Sequence, residues 1–334
     1  MANASVLPVG VVVPTLNAMP HLPPHVGRIR ELAPCVEEII VVDSHSTDGT
    51  TEYLREHLNL PNVRHLSHPP GLYASWNFGL AQLRAKYAYI ATVGDAVPLA
   101  TLEEMVLLAE THGADVVLTP PKLLNESGRI SERRWPIHDY IEKHRLTVPK
   151  EVPGWKALAW TALNVPAGLM GSSASNLYRT EVMQRHPFPT GYGYHGDTAW
   201  LLENALRLRI LVAPQITSEF LVHESAVRAR TTGETPRRVL LSRLAREVWQ
   251  AVGRSDVRDA APPECASALQ RYWDAMEHWF VAHQRYQKAR ASNAWWWMNP
   301  RIWRARTARS RAMAGLKRAA REGLDCLTGA DGLG

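Results

Sequence analysis

Along the first 120 residues, short β-branched apolar runs alternate with stretches in which apolar positions recur every three or four residues. LPVGVVVP (7–14), EEIIVVD (37–43), NVRHL (62–66), YAYIATV (87–93) and ADVVLTP (114–120) predict strands, and segments near 25–33, 48–58, 73–86 and 99–111 predict amphipathic helices between them. That is a βαβ series. Its strands are apolar almost throughout, the mark of a mostly parallel sheet covered on both faces, where ligands sit beyond the carboxyl ends of the strands. Chemistry is therefore expected just after the strands, at 14–17, 43–50 and 94–98. From 121 to 176 the period is lost among many Pro, Gly and Trp, which predicts a long loop region over the sheet edge, of the kind that faces substrate. Periodicity returns at 175–186, predicts a helix over 197–208 and strand within 210–223, and after Pro236 gives helices over 237–252, 263–290 and 301–322. The chain thus divides into an α/β part, 1–232, and a helical, basic, Trp-rich part, 233–334.

The segment VVDSHSTDGT (41–50) is the sharpest local signal. Asp43 closes an apolar strand, and Ser46, Thr47, Asp48, Gly49 and Thr50 form a turn that opens a helix, with Ser46 or Asp48 in position to cap it. A carboxylate there accepts hydrogen bonds from an imide N–H or from sugar hydroxyls, which suits base or ribose recognition. An ordinary capped strand-to-helix turn uses the same residues, and both readings stay open on this segment alone.

VVVPTLN (11–17), EEIIVVDSHSTDGT (37–50) and GLYASWNFGLAQLRAKYAYIATVGD (71–95), in that order and at those spacings, resemble the family 2 glycosyltransferases of the GT-A fold. The resemblance covers roughly residues 6–225 and implies a Rossmann-like, mostly parallel sheet flanked by helices, with a sugar donor linked to UDP, GDP or dTDP. It puts Pro14, Thr15, Asn17 and Asp43 in a nucleotide pocket, Asp43 at the base, with Ser46 and Asp48 beside it. Gly71, Tyr73 and Asn77 fall along the ribose and diphosphate; for Ala74 and Gly79 on the same helix, packing is the better reading. Family members carry Asp-x-Asp after the fourth strand, because a Mg²⁺ or Mn²⁺ ion bridging two phosphates takes hard oxygen ligands. Here Thr92-Val93-Gly94-Asp95 retains one carboxylate. On the resemblance, Asp95 contacts the diphosphate and the cation, and His223 of FLVHESAVRAR supplies a neutral imidazole to the metal. Arg228 and Arg230 neutralise the departing diphosphate.

The stretch GLMGSSASNLYRTEVMQRHPFPTGYGYHGDTAWLLENAL (168–206) is similar to the family's second half, in which Gly-Glu-Asp precedes a helix; this chain reads His195-Gly196-Asp197-Thr198. The likeness makes Asp197 the base that deprotonates the acceptor hydroxyl and also the N-cap of the following helix. Trp155, whose indole suits the face of a sugar, and His195 are the expected acceptor contacts. One carboxylate base with a cationic clamp requires no covalent intermediate, so the resemblance implies an inverting transferase with a glycan or lipid-linked acceptor, as in cell-surface polysaccharide biosynthesis. Two other classes stay open. A sugar-phosphate nucleotidyltransferase wants a Gly-rich basic loop after the first strand, which PTLNAMPHLPPH lacks; a non-catalytic nucleotide-sugar-binding protein would explain the missing second acid.

Composition sharpens the picture in two places. With 46% apolar and 21% charged residues in 334, the chain is an ordinary folded protein, and no 18 apolar residues run uninterrupted. The net charge of +6 belongs to the end: residues 281–334 hold 11 Lys or Arg against three acids, interleaved with Trp295, Trp296, Trp297 and Trp303. Basic helices with clustered indoles suit an anionic membrane surface, whereas no nucleic-acid recognition motif accompanies the charge. Cys35, Cys265 and Cys326 are few and scattered, which predicts a reducing, cytoplasmic setting, and the basic tail adds a peripheral place on the inner face of the plasma membrane.

Overall fold

The computed structural model describes residues 6–95, 97–125, 128–216, 218–222, 243–291 except 245, 249 and 252, and 300–329. Ten strands are described: β1 (Leu7–Thr15), β2 (Val36–Asp43), β3 (Val63–Ser67), β4 (Tyr87–Ile90), β5 (Val116–Leu118), β6 (Lys122–Leu124), β7 (Lys150–Val152), β8 (Leu177–Arg179), β9 (Ile210–Val212) and β10 (Glu219–Leu221). Eight form one sheet in the order β3-β2-β1-β4-β8-β5-β9-β7, while β10 and β6 pair separately in parallel. β3, β2, β1 and β4 are mutually parallel, as are β5 and β9; β8 runs antiparallel between β4 and β5, and β7 antiparallel to β9. Alternation along the strands sends Val12, Ile40 and Val42 into one core and Val11, Val13, Ile39 and Val41 into the other. Both faces are covered, hence the unbroken apolar runs.

The crossover helices are α1 (Leu22–Leu32), α2 (Thr50–His57), α3 (Leu72–Leu80) and α4 (Leu99–His112). α3 is shorter than its periodicity predicts and lies very close to the sheet at Gly79. A Cβ there would stand 2.5 Å from Val12 Cγ1 and 3.0 Å from Val42 Cγ2. That approach fixes the height of Tyr73 and Ser75 over the strand ends. Gly79→Ala is expected to cost about 1–3 kcal/mol through overpacking, read as a lower denaturant midpoint at unchanged m-value.

The region predicted as loop, 121–176, departs most from expectation. It contains β6, β7, α5 (Pro136–Lys143) and α6 (Gly154–Asn164). α6 buries every residue from Lys156 to Leu163, so it is apolar nearly all round and shows no amphipathic period. Beyond it come α7 (Thr180–Arg185), α8 (Gly196–Asn204), α9 (Ser255–Ala260), and two long helices, α10 (Pro263–Ala291) and α11 (Pro300–Gly329). α10 and α11 pack along each other and seat on α6: the Tyr272 hydroxyl donates to the Ala162 carbonyl at 2.8 Å, and Gly323 lies against Leu163.

Candidate active site

The carboxyl ends of β1 and β2 stand side by side, Thr15 paired with Asp43, and everything that follows them is tied across the gap. Asp43 is 7% exposed, and four donors fill its two oxygens. Oδ1 accepts the Thr15 hydroxyl at 3.1 Å and the Ser46 hydroxyl at 2.6 Å; Oδ2 accepts the Ser46 N–H at 3.0 Å and the Thr51 hydroxyl at 2.8 Å. Ser46 Oγ in turn accepts the Asn17 N–H at 2.9 Å, while Asn17 Oδ1 accepts the Thr47 N–H at 2.8 Å. Asn17 has φ of 48°, a left-handed conformation that asparagine tolerates, and it turns the chain back toward β2. Asp48 is a splint between the same two loops, its Oδ2 accepting the Met19 N–H at 3.1 Å and its Oδ1 the Thr50 N–H at 3.1 Å and hydroxyl at 2.6 Å. Thr15, Asn17, Asp43, Ser46 and Asp48 are thus brought together as one rigid turn. Pro14 precedes it within β1, opposite Val42.

Beneath this turn lies a cavity of about 300 Å³ lined by Asp43, His45, Ser46, Thr51, Arg55 and His65, among others. Thr51, Arg55 and His65 escape sequence reasoning. Thr51 and Arg55 lie on the α2 face turned back toward β2, and no local motif marks them.

A second cluster surrounds Asp197. It stands in the first turn of α8 rather than at the cap, which is His195, and the positive end of the helix favours a carboxylate there. Its Oδ1 accepts the Thr198 N–H at 2.7 Å. The ring of Tyr73 packs on Gly196, where a Cβ would come within 2.5 Å of it; the Tyr73 hydroxyl donates to the Tyr194 carbonyl at 3.3 Å and stands near enough to the Asp197 carboxylate to stabilise its ionised form. Burial pushes the Asp197 carboxyl up to about 6, the Thr198 bond and the Tyr73 hydroxyl holding it below what burial alone would give. Burial likewise raises Tyr73 well above the ordinary phenol range, so it stays a neutral donor. Tyr73 and Asp197 are therefore partners, a pairing not expected from the sequence. Ser75 on α3 links this cluster to the first, its hydroxyl 2.8 Å from that of Ser44.

The remaining candidates fall elsewhere. Asn77 spends its amide on the Phe188 backbone, donating to the carbonyl at 2.8 Å and accepting the N–H at 2.9 Å. The Gly71 carbonyl accepts the Ser75 N–H in the first turn of α3. His195 is buried beside the Tyr194 ring, and Trp155 is half-buried against the main core. Asp95 follows β4 in a turn closed by its own N–H to the Thr92 carbonyl and helped by Gly94 at φ of 101°. It is buried, bonded to the Thr92 hydroxyl and, at 3.2 Å, to the Leu221 N–H of β10, and burial raises its carboxyl to about 7. Leu221 brings the chain to Asp95 two residues before His223, but His223, Arg228 and Arg230 lie outside the described residues. The 300 Å³ cavity is lined by Asp43 and not by Asp95 or Asp197.

Among the described residues no group of three His, Cys, Asp or Glu side chains is placed to hold a metal ion. Asp95 is a single carboxylate with both oxygens already occupied, so the described residues do not fit the expected Mg²⁺ or Mn²⁺ site.

The arrangement of β1, β2, α3 and β4 agrees with comparison to known proteins. The family model described as Glycosyl transferase family 2 matches residues 10–162. The match takes in just under half of the chain. The matched segment runs from β1 into α6, and Asp43, Asp48, Tyr73 and Asp95 all lie within it. Residues 1–349 of S. aureus TarS, solved with UDP-GlcNAc, are similar over 97% of this chain and 90% of that one at 16% identity and a TM-score of 0.58. A mannosyltransferase from Pyrobaculum calidifontis, PcManGT, solved with GDP-Man and Mn²⁺, is similar over 96% and 90% at 18% identity and a TM-score of 0.50. At these identities the likeness is one of fold, and that fold is GT-A. None of the curated proteins compared matches the chain.

Proposed function

We propose that the chain is an inverting glycosyltransferase that moves a sugar from a nucleotide diphosphate onto an acceptor hydroxyl. The observation that carries this reading is Asp197: a half-buried carboxylate with a proton affinity near neutrality, bonded by the Thr198 N–H and set beside Tyr73, one helix away from the Asp43 turn. A group of that kind is ionised at neutral pH yet basic enough to accept a proton. Asp197 takes the acceptor proton as the acceptor oxygen bonds to the anomeric carbon. The bond from that carbon to the diphosphate breaks on the opposite face, and the configuration inverts. Asp43 and the cavity beneath it hold the base, Asp95 is assigned to the diphosphate, and Arg228 and Arg230 neutralise the leaving group. Trp155 and His195 are assigned to the acceptor side. The fold neighbours were solved with uridine and guanosine donors, so both bases belong in the first screen.

Thermal shift with UDP, GDP and dTDP, each with and without Mn²⁺, is the test. A ligand present at 100 times its Kd adds about 2.7 kcal/mol and raises the apparent Tm by several degrees. No shift with any nucleotide would overturn the reading. A shift without turnover of the matching nucleotide sugar on any acceptor would favour the binding-protein alternative, to which the unpaired Asp95 points. The same screen reads metal dependence directly, as the difference between the two arms.

Tyr73→Phe tests the base through its partner. Losing the hydroxyl removes a group that stabilises the ionised carboxylate, so the Asp197 pKa is expected to rise. In the wild type, log kcat/KM should climb with unit slope to a break near pH 6; in Tyr73→Phe the break should move to higher pH, with the plateau largely recovered. An unmoved acid limb would remove Tyr73 from this role.

The membrane part of the reading rests on α11. Arg304, Arg311 and Arg318 recur every seven residues and are exposed, and Trp303 is 53% exposed beneath the Arg306 guanidinium. No described helix is long and apolar enough to cross a membrane. Replacing the three arginines with glutamine is expected to lower co-sedimentation with phosphatidylglycerol vesicles several-fold, since each contributes on the order of 1 kcal/mol near an anionic surface. Equal sedimentation of the variant would contradict this assignment.

A further inference from the structure

The three cysteines, scattered in sequence, do not stay apart in space. Cys265 stands in the first turn of α10 and Cys326 in the last turn of α11, 61 positions later, yet their Sγ atoms lie 2.8 Å apart. That is well inside ordinary non-bonded contact for two sulfurs. Both thiols are free, Cys265 fully buried and Cys326 partly exposed, and the third, Cys35, precedes β2 in another part of the molecule. The contact lies at the open end of the α10–α11 hairpin, opposite the connection between the helices. It is also the end seated on the α/β unit, where Gly323 meets Leu163 and the Leu327 carbonyl lies 3.2 Å from His144 Nε2.

We propose that Cys265 and Cys326 form an intramolecular disulfide when the protein meets a low-molecular-weight disulfide such as oxidised glutathione, and that this bond closes the open end of the hairpin. Exposure selects the order of events. The Cys326 thiolate attacks the glutathione disulfide, forms a mixed disulfide and releases one glutathione. Cys265, whose thiol burial holds above the ordinary range, gives up its proton as its sulfur displaces the second glutathione from Cys326. Two protein thiols are oxidised to one disulfide, and one glutathione disulfide is reduced to two thiols. Cys265 is buried where Cys326 is partly exposed, so it acts as the resolving partner. The product ties α10 to α11 at both ends and restricts the unfolded chain through a long loop, which favours the oxidised form thermally.

The test uses the full-length protein incubated with oxidised glutathione, then alkylated, digested and mapped by mass spectrometry. The expected result is loss of two hydrogens with no retained glutathione, a linked pair of peptides carrying Cys265 and Cys326, and Cys35 still alkylated. The oxidised form should melt on the order of 5 °C above the reduced one, the difference vanishing with dithiothreitol. Cys326→Ser should lose both the linked peptide and the Tm difference while matching the reduced wild type. A stable glutathione adduct on Cys326, linkage through Cys35 or between molecules, or three alkylated thiols after oxidation would each overturn the proposal. Should Cys326→Ser fold poorly, Cys35→Ser leaves the pair intact and the mass readout decides alone.

Discussion

Asp197→Asn is expected to lower sugar transfer by about 10²- to 10⁴-fold, the range over which a positioned base acts, while nucleotide binding stays within a factor of two. The amide keeps the shape of the carboxyl group: its oxygen still accepts the Thr198 N–H, and the Tyr73 hydroxyl can rotate to accept from the new NH₂. What it cannot do is take a proton. Stability separates this from structural damage. The folded value near 6 lies above the ordinary 3.8, so the native state binds the proton more tightly than the unfolded chain does. The stability contributed by Asp197 is therefore complete below about pH 4 and is lost as pH rises through 6, a cost of roughly 3 kcal/mol at neutral pH. Asparagine carries no charge to bury. At pH 8 the variant should consequently melt at or above the wild-type temperature while failing to turn over. Release of UDP or GDP from a nucleotide sugar measures the activity, calorimetry with nucleotide the binding, and a scan at pH 5 and pH 8 the stability. Turnover like that of the wild type would end the assignment of Asp197 as base.

The parts of this site that were legible in the sequence are those where one residue type must occupy one end of one strand. Asp43 and Asp95 follow apolar runs whose period shows where each strand stops, and the turn between Asp43 and Thr50 is spelled by its capping residues. Illegible were the relations between elements. Tyr73 lies on an apolar helix where an aromatic residue reads as core, and only the close seat of α3 at Gly79 and the bare backbone at Gly196 bring its ring against the start of α8 beside Asp197. α6 was hidden for the opposite reason, being buried on every side and therefore without a polar face to mark its period. Cys265 and Cys326 meet because two long helices fold back on each other, which their spacing along the chain does not encode.

Asp43→Asn and Asp43→Ala should part company. The carboxylate offers about four acceptor positions, and the two hydroxyls of Thr15 and Thr51 with the hydroxyl and N–H of Ser46 take all of them. A base N–H must therefore displace a hydroxyl, and the Thr51 or Thr15 side chain has only to rotate to allow it, whereas the Ser46 N–H is fixed by the backbone. In Asp43→Asn the amide oxygen can keep the Ser46 N–H and Thr51 while the NH₂ donates to the Thr15 and Ser46 oxygens. The turn survives, and what disappears is the charge that a donor N–H on the base would seek. The expected result is a Tm within a few degrees of the wild type and nucleotide affinity lowered at least 10-fold, since hydrogen bonds to a charged group are worth about 1.5–3 kcal/mol. Asp43→Ala leaves the Ser46 N–H without an acceptor in a nearly closed site, at a cost of about 1–3 kcal/mol, and frees the hydroxyls that hold the loops after β1 and β2 together. Both stability and binding should fall in that variant, and protease cleavage should appear first within 43–50. Nucleotide binding undiminished in Asp43→Asn would show that Asp43 only builds the turn, and recognition of the base would then pass to Arg55 and His65, which line the same cavity.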